Sequence, residues 1–78
     1  KTISASTYSI TAPLPGTVLS IMVKEGDEVK KGATLLVYDA MKMENSILAE
    51  KDGIVKSVKV IDGENFLQGD VLFEITTS

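Results

Sequence analysis

The sequence has 78 residues and a formal charge of −3, a length that sets one small domain whose modest core must be used efficiently. It contains neither cysteine nor histidine. That excludes disulfide staples, thiol redox chemistry, the usual zinc sets and every histidine-based catalytic arrangement. Lysines are interleaved with Asp and Glu, and the pI is near 4.7, which speaks against a nucleic-acid partner. The longest unbroken apolar run, Leu35-Leu36-Val37-Tyr38, is far too short to insert across a bilayer.

Residues 1–9 are rich in Ser and Thr, with only Ile3, Ala5 and Tyr8 apolar. They read as a linker or tail, leaving residues 10–78 as the domain. The chain begins at Lys1 without a methionine, so a segment of a longer polypeptide is expected. No secretory signal is visible, and with the lack of cysteine this points to the cytoplasm.

Beyond the tail the chain repeats. A displacement of 37 positions superposes Ala12 on Ala49, Gly16 on Gly53, Val18 on Val55, Ser20 on Ser57 and Val23 on Val60. It continues through Gly26 on Gly63, Gly32 on Gly69 and Leu35 on Leu72, without a gap. A period of this length marks one supersecondary unit written twice. Each copy reads as β: runs Gly16 to Val23 and Gly53 to Val60, closed by turns Lys24-Glu25-Gly26-Asp27 and Ile61-Asp62-Gly63-Glu64. Apolar residues at 18, 21 and 23, and at 55, 58 and 60, break the period of two and predict a bulge in each copy. Val18, Ile21, Val55 and Val58 are the predicted core. Short strands follow near Thr34 to Asp39 and Val71 to Ile75, and no amphipathic helix is visible. Two such halves bury their apolar faces best against each other, giving an all-β sandwich or flattened barrel with quasi-two-fold symmetry. The paired glycines are assigned to turns.

Between the halves, Tyr38-Asp39-Ala40-Met41-Lys42-Met43-Glu44 must form a tight hairpin. Such hairpins favour Asn-Gly or Asp-Gly, because their turns need positive φ. This one offers Ala-Met-Lys-Met. A single exposed lysine is ordinarily a solvated charge, and a single methionine a gap filler. Their conjunction at the pivot of two symmetric halves, where a local rule is broken, points to function. Asp39 and Glu44 flank the tip as a conceivable carboxylate pair, but strand-end solvation accounts for them.

Ala40-Met41-Lys42-Met43 resembles the attachment motif of the biotinyl carrier domains of biotin-dependent carboxylases, transcarboxylases and decarboxylases, within the biotinyl/lipoyl attachment superfamily. Ala12-Pro13-Leu14-Pro15-Gly16, Lys24-Glu25-Gly26-Asp27 and Lys31-Gly32 are similar to the same family, and the resemblance runs from Ile10 to Ile75. It implies a flattened barrel of two four-stranded sheets, with Lys42 at an exposed turn acylated by biotin. It also implies that Ala40, Met41, Met43 and Glu44 form the surface read by a biotin protein ligase and by the biotin carboxylase and carboxyltransferase partners. No metal and no catalytic residue are expected. The hard chemistry belongs to the cofactor, which carries carbon dioxide on a ring nitrogen. An exposed lysine is protonated and poorly nucleophilic at neutral pH, and no general base lies nearby in sequence, so activation is left to the ligase. The expectation is a carrier and substrate, not an enzyme.

The nearest alternative is a lipoyl carrier of a 2-oxoacid dehydrogenase complex, whose tip typically reads Asp-Lys-Ala. The hybrid domain of membrane-fusion adaptors splits the halves with a helical hairpin, which this sequence lacks. Bacterial acetyl-CoA carboxylase carriers insert a thumb in the first half, for which the gapless repeat leaves no room. The resemblance is therefore to carriers of pyruvate, propionyl-CoA or methylcrotonyl-CoA carboxylases, transcarboxylases or sodium-pumping decarboxylases.

Overall fold

The computed structural model describes residues 6–77. Eight strands follow in order: β1 (Ser6–Thr11), β2 (Gly16–Ile21), β3 (Glu28–Val29), β4 (Thr34–Ala40), β5 (Met43–Leu48), β6 (Gly53–Val58), β7 (Asn65–Phe66) and β8 (Val71–Thr77). They form two four-stranded antiparallel sheets, ordered β1-β8-β6-β3 and β5-β4-β2-β7. Among the described residues there is no helix, hence none long and apolar enough to cross a membrane. The all-β reading with two sheets and an internal two-fold holds.

The displacement of 37 positions carries β1 onto β5, β2 onto β6, β3 onto β7 and β4 onto β8 with identical bounds, and one sheet order onto the other. The halves do not make a sheet each. They exchange strands, and the two copies of the glycine turn lock the exchange. Gly26 N–H donates to the Val55 carbonyl and Val55 N–H to the Asp27 carbonyl, both at 2.8 Å. In the other copy Gly63 N–H donates to Val18 and Val18 N–H to Glu64, again at 2.8 Å. Gly26 and Gly63 have φ of 91° and 83°, a conformation that costs glycine little and other residues more.

The predicted bulges fall between Val18 and Ser20 on β2 and between Val55 and Ser57 on β6. Leu35, Leu36, Leu72, Phe73 and Ile75 are fully buried, as are Val18 and Val55. Ile21 and Val58 are only half-buried and pack against this core from its margin, which corrects their assignment as core. The bulge explains the difference, since it turns the strand beyond it away from the centre.

The boundary at Ser9 also needs correction. Residues 6–9 belong to β1, which runs along β8 from Ser6 opposite Thr77 to Ile10 opposite Phe73. Its Ser and Thr residues are exposed on an edge strand, whereas Ile10 is buried. Ile3 and Ala5 lie outside the described residues.

Candidate functional site

β4 alternates as a half-covered strand must: Tyr38 and Ala40 point inward and are buried, while Asp39 points outward. It ends at Ala40, β5 starts at Met43, and those two residues pair directly. Only Met41 and Lys42 remain for the turn. Their φ values are 54° and 64°, the two consecutive left-handed positions of a type I′ hairpin. These are the only non-glycine residues of positive φ among the described residues. A left-handed non-glycine residue costs roughly 1–2 kcal/mol, so the turn is held against its local preference by the strands beneath it.

The strained turn carries a methionine and a lysine into water, and Met43 beside it is exposed too. Met41 is 81% exposed and Met43 66%, and Lys42 is exposed as well. The ion pairs among the described residues, Lys30–Glu28 and Lys59–Glu74, do not involve Lys42. Its amine is unencumbered and open to an acylating partner. Below the tip, Asp39 and Glu44 face each other across the ladder, both exposed. Acylation of Lys42 would remove the one positive charge and leave these two carboxylates.

Of the five residues expected to matter, Met41, Lys42, Met43 and Glu44 are each exposed at the hairpin end. Ala40 does not join them: it is buried, and a Cβ on Gly16 would lie 3.4 Å from its own. Its small side chain sits where β2 and β4 approach each other. Gly16 has no positive φ. It is required for close approach, since a Cβ there would fall 2.6 Å from the Asp39 carbonyl oxygen.

Three contacts at the hairpin base were not anticipated from the sequence. Tyr38 meets Phe66 of β7 edge to face, with centroids 5.4 Å apart and rings at 67°. Asn45 Nδ2 donates to the Met43 carbonyl at 3.1 Å, and Thr17 Oγ1 donates to Asn65 Oδ1 at 2.6 Å. Period-two counting back from Ala40 could have marked Tyr38 as inward; nothing local marks Phe66 as its partner.

The tip is not a pocket. A groove of about 640 Å³ is lined by Ile21, Val23, Val58 and Val60 with the turns beside them, and it includes no hairpin residue. Among the described residues no group of three His, Cys, Asp or Glu side chains is placed to hold a metal. A covalent group of extended form fits the tip: Lys42 offers an amine at the end of a flexible stem, with no wall around it.

A family model described as "Biotin-requiring enzyme", of the biotin and lipoyl attachment type, matches residues 8–75. A biotin/lipoyl attachment protein of Bacillus subtilis is 37% identical over 70 residues, covering 90% of this chain and 96% of the relative. The alpha3 subunit of a biotin-dependent acyl-coenzyme A carboxylase from Mycobacterium leprae is 46% identical over 67 residues, 86% of this chain but 11% of the subunit. Among solved structures, the lipoyl domain of the 2-oxoglutarate dehydrogenase complex of Azotobacter vinelandii superposes with a TM-score of 0.76 at 28% identity, covering 87% of this chain and 94% of that domain. The chain thus spans a small fraction of the carboxylase subunit and nearly all of the attachment protein.

Proposed function

The chain belongs to the biotin and lipoyl attachment family, and from that premise we propose that it carries biotin on Lys42 and shuttles a carboxyl group between two partner active sites. It is a biotin carboxyl carrier domain, a substrate of other enzymes and not an enzyme itself. One observation carries the choice of Lys42: it occupies the second position of a strained two-residue turn, exposed and free of ion pairs, with Met41 and Met43 beside it.

Biotin supplies the nitrogen chemistry that holds the carboxyl group; the chain supplies place and reach. The strands beneath fix the turn, and the lysine stem gives the arm its freedom. Tethering converts diffusion between two sites into a local search at high effective concentration. The activation that an exposed amine lacks comes from a biotin protein ligase. A biotin carboxylase and a carboxyltransferase are the partners for the loaded arm, a reading supported by the carboxylase relative. Met41, Met43 and Glu44 form the surface those partners read. The acidic, cysteine-free composition supports a cytoplasmic carrier without nucleic-acid contacts or membrane insertion.

The lipoyl alternative shares the fold, so the fold does not decide between them. The Met-Lys-Met tip and the names of the carboxylase relatives favour biotin. The test is transfer itself. The ligase-treated chain should accept radiolabelled carboxyl from bicarbonate when a biotin carboxylase and ATP are added, and Lys42→Arg should accept none. Label on the Lys42→Arg chain would refute the assignment.

A further inference from the structure

The internal repeat provides a reference for the hairpin, because each residue at its base has an equivalent in the other half. The pair Ala40–Met43 corresponds to Thr77–Ser6, Gly16 to Gly53, Tyr38 to Ile75 and Phe66 to Val29. The backbone is the same in both places. Gly16 pairs with Phe66 as Gly53 pairs with Val29, and a Cβ on either glycine would strike a carbonyl oxygen of the neighbouring strand, at 2.6 Å for Asp39 and 2.5 Å for Thr76. Tyr38, Phe66, Ile75 and Val29 are all buried. What differs is the packing: an edge-to-face aromatic pair under the lysine, two aliphatic side chains at the equivalent place.

The fold therefore does not require aromatics at these positions, since the same backbone closes over Ile75 and Val29. The two rings belong to β4 and β7, with β2 lying between them. They meet over Gly16, where the missing side chain leaves the space: a Cβ there would be 3.0 Å from Tyr38 Cδ2. Edge-to-face rings prefer a defined mutual orientation, which aliphatic contacts do not impose. The stack thus ties β7, an edge strand of two residues, to the strand that ends two residues after Tyr38, at the start of the turn.

We infer that Tyr38 and Phe66 are positioning residues, an aromatic brace that holds the Met41–Lys42 turn in its strained, left-handed form for acylation. This rests on Lys42 being the attachment site. A turn that must be held against its preference profits from a stiff base, and a partner acting on the lysine needs the amine presented in one place. The equivalent end carries no such turn, and its aliphatic packing suffices.

The experiment copies one half onto the other. In the double variant Tyr38→Ile, Phe66→Val, the kcat/KM of biotin ligase acting on the chain should fall on the order of tenfold, mainly through kcat. Amide hydrogen exchange at Met41 to Met43 should accelerate, while circular dichroism stays that of the folded β domain. Tyr38→Phe keeps the ring and should restore both the rate and the protection. Ile75→Val loosens the equivalent site in the other half and should leave the acylation rate unchanged. An unchanged rate and unchanged exchange in the double variant would overturn the inference, as would an equal loss of rate in Ile75→Val. Should the double variant unfold, Phe66→Leu alone carries the same comparison. If the unaltered chain is not acylated at Lys42, the functional reading fails, and exchange at the turn still decides whether the brace exists.

Discussion

Asp39 and Glu44 stand directly opposite each other on β4 and β5, one ladder position below the pair that closes the Lys42 turn. Like charges in that relation repel, and opposite-charge cross-strand pairs contribute roughly 0.2–1 kcal/mol. The equivalent positions in the other half hold Thr76 opposite Thr7, a pairing without repulsion. Glu44→Lys should therefore stabilise the domain by a few tenths to about 1 kcal/mol in a urea melt, with the gain shrinking as salt is added. The same change should slow acylation of Lys42 if Glu44 belongs, as proposed, to the surface read by the ligase. A variant that is more stable and equally well acylated would remove Glu44 from that surface.

The turn has a similar conflict in its backbone. Met41 has a φ of 54°, where asparagine is tolerated far better than an unbranched apolar residue. Met41→Asn should raise the unfolding free energy by roughly 0.5–1 kcal/mol and lower the rate of acylation. Equilibrium unfolding and ligase kinetics on one preparation measure both. A loss of stability would mean that the methionine side chain, despite its exposure, contributes packing that the structure does not reveal.

Folding and recognition separate in a second pair of substitutions. Leu35 is fully buried and Met43 is 66% exposed. Leu35→Ala should cost about 2–5 kcal/mol, a large share of what so small a domain possesses. Met43→Ala should cost under about 1 kcal/mol while slowing acylation or carboxyl transfer. Thermal melts of the two variants give the comparison, and similar losses would make Met43 a structural residue.

The glycines divide by mechanism. At Gly26 a Cβ would meet nothing within 4 Å, and the only cost is its φ of 91°. At Gly16 the φ is ordinary, but a Cβ would fall 2.6 Å from the Asp39 carbonyl oxygen. Gly16→Ala should be the more destabilising, and its damage should centre on β4 and the hairpin. Hydrogen exchange resolved by residue reads this directly: loss of protection at Tyr38 to Met43 for Gly16→Ala, and around Val55 for Gly26→Ala.

Much of the fold was legible because the sequence states it twice. The three glycines in register, the bulges and the closed turns all follow from the displacement of 37 positions. The tail boundary was misread because composition was given more weight than the repeat. Ser9 and Ile10 match Ser46 and Ile47 at the same displacement, which would have placed β1 opposite β5 in the pseudo-symmetry. Strand exchange was not legible, since a repeat says which strands are equivalent and not which copy each one pairs with. At the hairpin, the absence of glycine or asparagine in a two-residue turn was a sufficient signal for a strained backbone at Met41 and Lys42. The brace was not, because Phe66 lies far from Tyr38 in sequence on a strand of two residues. Ala40 was assigned to recognition with its neighbours, but on a strand that alternates faces it had to share the inward side with Tyr38.

The central claim is the identity of the modified residue and of its cofactor. Intact mass and peptide mapping of the chain co-expressed with biotin and lipoate ligases, both cofactors present, test it most directly. The account predicts a single biotinyl increment, carried wholly by the peptide containing Lys42 and absent from Lys42→Arg. A lipoyl increment at Lys42, or biotin on Lys30, Lys31 or Lys51 in its place, would contradict it.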